Sequence, residues 1–179
     1  MYKRSLERKH NRLPDYNYSN PGYYFITICT KNKIPFFASI KDHIINLNSL
    51  GKIAHECWTA IPNHFGHVSL DEFVIMPNHI HGIIAIKPSI ITNVGDADLL
   101  PLHGVNRSKM LIPKIIHGFK STVTRKIHKQ FPTSEFVWQR SYYDHIIRDN
   151  NGLEKIRLYI KSNPEHWLND KNYINPLPM

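Results

Sequence analysis

The sequence predicts a mixed α+β layer, a mainly antiparallel sheet with helices on one face, in the order β-α-β-β-α-β-α. Three observations carry this. Residues 23–30, 68–76 and 79–86 have the aromatic and β-branched composition of strands. Apolar residues recur at three- and four-residue steps after Asp42, Pro113 and Gly152, as in amphipathic helices. The second and third strands are separated only by Pro77-Asn78, a break so tight that they should pair as an antiparallel hairpin. Helices confined to one face leave the other to hold a ligand.

Composition bounds what such a chain does. Its 179 residues, 41% hydrophobic, fit one domain with a sizeable core. No apolar run approaches the roughly 20 residues of a membrane span. Charge from Lys3 onward leaves no room for a signal peptide's apolar segment. Cys29 and Cys57 are too few and too far apart for a disulfide framework or zinc knuckle, so a reducing cytoplasm is the expected compartment. A net charge of +9 and a pI near 9.6 favour a polyanionic partner, with incidental basicity as the competing reading.

Along the chain, residues 1–20 form a basic arm carrying Arg4, Arg8 and Arg12. It either lies along a phosphate backbone or is a terminus without a role. The first strand, 23–30, is broken from Asn32 to Pro35. From about Asp42 to Ile61, the spacing of Ile44, Leu47, Leu50, Ala54, Cys57 and Trp58 predicts a helix that tolerates Gly51 and closes before Pro62. Trp58 reads as core. After the hairpin, residues 87–112 lose all periodicity and suggest a long surface loop. Ile115, Ile116, Phe119, Val123 and Ile127 then form an apolar stripe, with Lys114, Arg125 and Lys129 on another arc. That arc either tracks a nucleic-acid backbone or is a solvated charged face. Residues 136–148 carry a strand in their second half. Asp149 or Asn150 caps a last helix over 152–163, which Pro164 stops. The domain plan is an arm (1–20), one domain (21–168) and a tail (169–179).

Chemistry enters at His79-Ile80-His81. In a strand, side chains at i and i+2 share a face about 6–7 Å apart, so both imidazoles reach one metal ion while Ile80 packs behind. Imidazole is the commonest neutral metal ligand, yet His-x-His alone is unspecific in a chain with twelve His. The last helix offers what the pair lacks. Tyr159 and Asn163 are four apart and project from one helical face, about 6 Å along the axis. Tyr159 supplies a phenolic nucleophile and Asn163 a neutral oxygen for a hard cation, set against packing for the Tyr and a C-cap for the Asn.

Four blocks, 76–82 (Met-Pro-Asn-His-Ile-His-Gly), 138–140 (Trp-Gln-Arg), 143–145 (Tyr-Asp-His) and 159–164 (Tyr-Ile-Lys-Ser-Asn-Pro), together resemble the small single-tyrosine HUH transposases, most closely the REP-associated tyrosine transposases. The likeness runs from about Tyr23 to Trp167. It implies a ferredoxin-like (RRM-like) catalytic domain that cuts and rejoins single-stranded DNA near hairpins. It also implies His79, His81 and Asn163 as ligands of Mg²⁺ or Mn²⁺, and Tyr159 as nucleophile. Relatives elsewhere in the superfamily often carry Gln where this chain has Asn163, which favours the REP-associated branch. His145 and Asp144 lie in a recurrent block as second-shell or unassigned residues.

The chemistry agrees with that assignment. A phenol with pKa about 10 is a poor nucleophile unless a base or metal assists. A divalent ion with open positions polarises the scissile phosphate, and attack by Tyr159 leaves a 5′-phosphotyrosine and a free 3′-OH. Two imidazoles lean towards Mn²⁺ or another transition metal. Single-strand recognition combines basic grooves with aromatic stacking, for which Trp138, Arg140, Tyr142 and Tyr143 join the arm as candidates. Two other classes fit the same residues: a non-catalytic nucleic-acid-binding module, and a nuclease that uses a metal-bound water. Monomer and homodimer both remain open.

Overall fold

A computed structural model describes residues 13, 16–88 and 110–173. Four antiparallel strands form the main sheet: β1 (Gly22–Cys29), β4 (Val68–Ile75), β5 (His79–Ile86) and β6 (Tyr143–Ile147), in the spatial order β4-β5-β1-β6. With helices α1 (Ser49–Thr59) and α3 (Leu111–Gln130) joining the strands, this is the expected ferredoxin-like α+β arrangement. The two central strands, β1 and β5, are the most apolar. Among the described residues no helix is long and apolar enough to cross a membrane.

Alternation along the strands separates two faces. Tyr24, Ile26 and Ile28 of β1 and Ile80, Ile84 and Ile86 of β5 pack with Trp58 of α1 and with Ile115, Phe119, Val123 and Ile127 of α3 in the large core. The next residues of the same strands, Phe25, Thr27 and Cys29, pair in register with Ile83, His81 and His79 on the other face. There Phe25, Ile83, Ile147, Leu153 and Ile160 form a second, smaller cluster. That cluster seats α4 (Asn150–Ser162). The one-face expectation therefore holds for α1 and α3, while α4 lies across the opposite face.

Several boundaries need correction. Residues 38–47 are not helical: β2 (Ala38–Lys41) and β3 (Ile44–Leu47) form a hairpin whose turn places Asp42 and His43 at φ 50° and 63°. Both central residues are left-handed, the conformation a two-residue hairpin turn needs, but without the glycine that usually signals it. The helix begins only after Asn48, whose side chain accepts from Gly51 N at 3.0 Å. Gly51 is required by a close crossing, since a Cβ there would lie 2.1 Å from the Phe37 carbonyl oxygen. A single helical turn, α2 (Ile61–His64), follows with Pro62 inside it. α3 starts two residues before Pro113; Ser19 Oγ accepts from Leu111 N and Tyr18 O accepts from Ile112 N, satisfying its exposed first turn. The predicted loop at 87–112 falls mostly on residues 89–109, outside the described residues.

Two further expectations stand. Pro77-Asn78 closes the β4–β5 hairpin, with Met76 N donating to His79 O at 2.8 Å. Asp149 caps α4 through a 2.7 Å bond from Gly152 N.

Candidate active site and metal centre

The site is built on the face of the sheet away from α1 and α3. His79 and His81 point there together, ring centroids 4.5 Å apart, and are buried to 0% and 1% exposure. α4 lays Tyr159 beside them: its phenol oxygen is 3.2 Å from His81 Nε2, with the ring edge-on to Phe25. Tyr159 is 39% exposed, so the hydroxyl sits at the rim of a closed imidazole pair.

Hydrogen bonds fix which nitrogens are available. Asn78 donates both of its amide hydrogens, to Lys33 O at 2.8 Å and Asn172 O at 2.7 Å. Its Oδ1 must therefore face His79 Nδ1, 2.8 Å away, and that nitrogen donates. His79 Nε2 is left as a lone pair, buried and without a partner. In His81, Nε2 pairs with the Tyr159 hydroxyl at 3.2 Å and Nδ1 pairs with Thr27 Oγ1 at 2.8 Å. Burial holds both imidazoles neutral: it pushes His79 down to about 4, and burial plus the neighbouring His79 pushes His81 well below the usual range.

Two oxygens complete the ring of donors. Asn163, 3% exposed, interacts with both His79 and Tyr159, and its Oδ1 is buried without a hydrogen-bond partner. Asp170 brings a carboxylate whose oxygen lies with the His79 and His81 nitrogens, all within 4.8 Å of one another. A buried imidazole lone pair and a buried amide oxygen, both acceptors and both unsatisfied, fit a cation and leave nothing else to satisfy them. Tyr159 is harder to ionise than a free phenol, because of burial and then the Asp170 charge, while the Asn163 hydrogen bond acts the other way.

α4 is anchored by charge as well as packing. β4 bulges between Leu70 and Phe73, which turns Asp71 and Glu72 towards the helix. Arg157 grips Asp71 with two bonds, Nε to Oδ1 at 2.8 Å and Nη2 to Oδ2 at 2.5 Å, and Lys161 pairs with Glu72 at 2.9 Å. These pairs flank Tyr159 on both sides in sequence. The guanidinium holds the Asp71 carboxyl below its ordinary range.

A model of the family described as IS200-like transposase matches residues 104–163, the span that carries α3, β6, α4, Tyr159 and Asn163. Over that span the chain is similar to the IS200-like transposases. It is 42% identical over 173 residues to an uncharacterized protein of Haemophilus influenzae, covering 94% of each. It also shares the fold of a REP-associated tyrosine transposase solved bound to a REP hairpin, with a TM-score of 0.56 and 16% identity over 87% of this chain and 72% of that one.

The fold brings His79, His81, Tyr159 and Asn163 into one place, and it places the other sequence candidates elsewhere. Trp138 and Tyr142 are core residues, 8% and 9% exposed, so neither offers a free stacking face; the Trp138 indole donates to Lys120 O at 3.2 Å. Asp144 pairs in register with Ile26 and is buried on the helix-covered side, away from the imidazoles. His145 and Tyr143 stand on the site face, opposite Phe25 and Thr27, and both are exposed, with Lys171 Nζ 5.9 Å from the Tyr143 ring. Lys114, Arg125 and Lys129 are exposed on α3, behind the sheet, and Arg140 is exposed ahead of β6. Arg4, Arg8 and Arg12 lie outside the described residues.

Sequence reasoning missed Asp170, Asn172 and Thr27. The tail was expected to stay turn-like beyond the domain. Instead Trp167 packs on His79 with centroids 5.9 Å apart, and the turn at 170–172 closes over the site. Thr27 was legible only through register, as the residue opposite His81.

Proposed function

We propose that this protein is a metal-dependent single-stranded DNA endonuclease and strand transferase of the REP-associated branch, cutting near hairpins through a 5′-phosphotyrosine on Tyr159. The observation that carries the reading is the phenol oxygen 3.2 Å from His81 Nε2 of the imidazole pair, on a helix from a distant part of the chain. His79 Nε2, His81 Nε2, Asn163 Oδ1 and an Asp170 oxygen are the groups that would hold a divalent cation, Mg²⁺ or Mn²⁺. Three oxygen- or nitrogen-rich neutral donors with one carboxylate suit Mn²⁺. When bound, that ion supplies Lewis-acid stabilisation of the scissile phosphate.

The chain's own groups do the rest. α4 carries the phenol to the rim of the site, where a phosphate can approach it from solvent. Asn163 donates to the phenol oxygen and favours its ionised form, the form that attacks. Tyr159 Oη, its proton given up to solvent, attacks phosphorus; the phosphotyrosine bond forms, the bond to the 3′ oxygen breaks, and that oxygen takes a proton from solvent to leave as a 3′-OH. Because a phosphodiester replaces a phosphodiester, the reverse attack by another 3′-OH rejoins DNA without ATP. The domain plan, a basic arm over 1–20, a catalytic domain over 21–168 and a tail over 169–179, belongs to this proposal, with the tail now contributing to the site.

The test is a labelled single-stranded hairpin incubated with protein and Mn²⁺ or Mg²⁺, resolved on a denaturing protein gel. A covalent adduct is expected, absent with EDTA and in Tyr159→Phe. Cleavage that persists in Tyr159→Phe overturns the nucleophile assignment in favour of a water-using nuclease. Hairpin binding indifferent to EDTA, with no cleavage in wild type, identifies a binding module instead. Independently of activity, Mn²⁺ should raise the Tm of the wild type and not of His79→Ala.

A further inference from the structure

One buried amide holds three parts of the molecule together. Asn78 lies in the turn between β4 and β5, 1% exposed and immediately before His79. Its main chain is pinned: Asn78 O accepts from Thr30 N at 2.9 Å and from Thr30 Oγ1 at 3.1 Å, and Pro77 O accepts from Phe37 N at 2.9 Å. The side chain therefore starts from a fixed point, and its oxygen and both of its hydrogens are used. Oδ1 takes the Nδ1 proton of His79 at 2.8 Å, which leaves Nε2 as the nitrogen turned to the cation site. One amide hydrogen goes to Lys33 O at 2.8 Å, in the left-handed turn after β1. The other goes to Asn172 O at 2.7 Å, in the turn beyond α4.

That last bond ties the imidazole to a carboxylate. Asp170 Oδ1 accepts from Asn172 N at 2.6 Å, so the residue that Asn78 grips is the one around which Asp170 folds back. Lys33 Nζ donates to Lys171 O at 2.5 Å, a second tie between the two turns that Asn78 joins. Asn172 is itself buried, with its Oδ1 3.9 Å from the Sγ of Cys29, which stands opposite His79 in the β1–β5 register. The 170–172 turn is thus seated by contacts that begin at His79. Its seating is what brings an Asp170 oxygen within 4.8 Å of the imidazole nitrogens.

We propose that Asn78 is a positioning residue that makes presentation of His79 Nε2 and seating of the 170–172 turn a single event, so that cation binding and turn closure stabilise each other. The proposal rests on the metal-centre part of the strand-transferase reading. Amide chemistry makes it specific, because the oxygen serves the imidazole and the nitrogen serves the turns. A carboxylate at position 78 keeps the first function and loses the second: it accepts from His79 Nδ1 but has no hydrogen for Lys33 O or Asn172 O. An alanine loses both. By linkage, the factor by which a bound cation favours the seated turn is the factor by which the seated turn favours the cation.

The test uses the full-length protein and two readouts, neither of them DNA cleavage. Mn²⁺ affinity is read from the loss of the free ion's electron paramagnetic resonance signal. Seating of the turn is read by mass spectrometry from the rate at which trypsin cuts after Lys171, an exposed side chain whose main chain is held by Lys33. In wild type, saturating Mn²⁺ should slow that cut about 10-fold, within the usual range of such couplings. Asn78→Asp should bind Mn²⁺ about 10-fold more weakly, the same factor, and be cut quickly even when loaded. Asn78→Ala should bind about 100-fold more weakly, since the orientation of His79 is lost as well. General loosening of the fold would not separate the two variants in this way. Equal affinity loss in both, or full protection in Asn78→Asp, overturns the proposal. Should neither variant fold, the wild type decides: Mn²⁺ bound with no change in the rate of the cut overturns the coupling and leaves the metal centre standing. No Mn²⁺ bound overturns the metal centre itself, and the coupling with it.

Discussion

The two faces of the sheet are made from the same strands and do opposite work. On the face under α1 and α3, Ile26, Ile28, Ile80 and Ile84 join Trp58, Phe119, Val123 and Ile127 in one continuous apolar core. On the other, two buried imidazoles, a threonine hydroxyl and an amide share the surface with a cluster built around Phe25, Ile83, Ile147, Leu153 and Ile160. Stability is concentrated on the first face, where area is removed from water. The second face carries donors whose lone pairs are not used for folding. Its helix is held in place by a smaller apolar contact and two carboxylate–cation pairs. Neighbouring residues of one strand, Ile80 against His79 and His81, should therefore answer substitution in different currencies.

The largest contrast is in activity. Tyr159→Phe should lower adduct formation by a factor on the order of 10³ or more, as removal of a nucleophile does. Its melting temperature should stay close to wild type, and a collapse of the fold instead would show that the two faces are not separable. On the core face, Trp58→Ala should cost about 3–5 kcal/mol and Ile80→Ala about 2–5 kcal/mol in denaturant unfolding. His81→Ala, one position along, should cost far less than Ile80→Ala and still abolish Mn²⁺ stabilisation.

The anchoring of α4 sharpens the comparison further. Arg157→Ala should reduce single-turnover cleavage by about 10–100-fold through misplacement of the phenol, while the Mn²⁺-induced rise in Tm survives. Equal loss of metal response would mean that α4 does more than position. Acid should act on the site face first. Because the folded imidazoles titrate lower than free ones, His79 at about 4, the unfolded chain binds more protons between pH 6.5 and 4. Stability of the metal-free protein should be level above pH 6.5 and fall as the pH drops through that window, and a double His79→Ala/His81→Ala variant should lose that slope. The smallest effect concerns Asp170, whose charge makes the phenol harder to ionise. Asp170→Asn should lower the Tyr159 titration measured by tyrosinate absorbance, and an unchanged midpoint would place that carboxylate out of reach.

The core face was the legible one. Ile115, Ile116, Phe119, Val123 and Ile127 announce α3 because helical packing demands that spacing, and β1 and β5 announce themselves because central strands exclude polar residues on at least one side. The region between β1 and α1 misled for a physical reason. Ile44, Leu47 and Leu50 happen to fall at helical steps, and the hairpin turn uses Asp42 and His43 in a conformation usually marked by glycine. Trp138 and Tyr142 looked like stacking platforms because composition cannot distinguish an aromatic residue in a core from one on a surface. Within the site, residue types and spacing offered His79, His81, Tyr159 and Asn163 as candidates, and it took the family resemblance to single them out. Asp170 could not be singled out, since its arrival depends on where the chain turns after α4, and no local pattern at 165–172 records that path.

The hairpin register leaves one consequence for how such a site can change. His79 and His81 reach the ligand side only because β5 is held against β1 with Cys29 and Thr27 opposite them. Moving β5 by a single position would drive both rings into the hydrocarbon behind and turn Ile80 outward. Descendants of this chain can therefore retune the centre by exchanging side chains, but an inserted or deleted residue between Pro77 and Gly82 would erase fold and chemistry in one step.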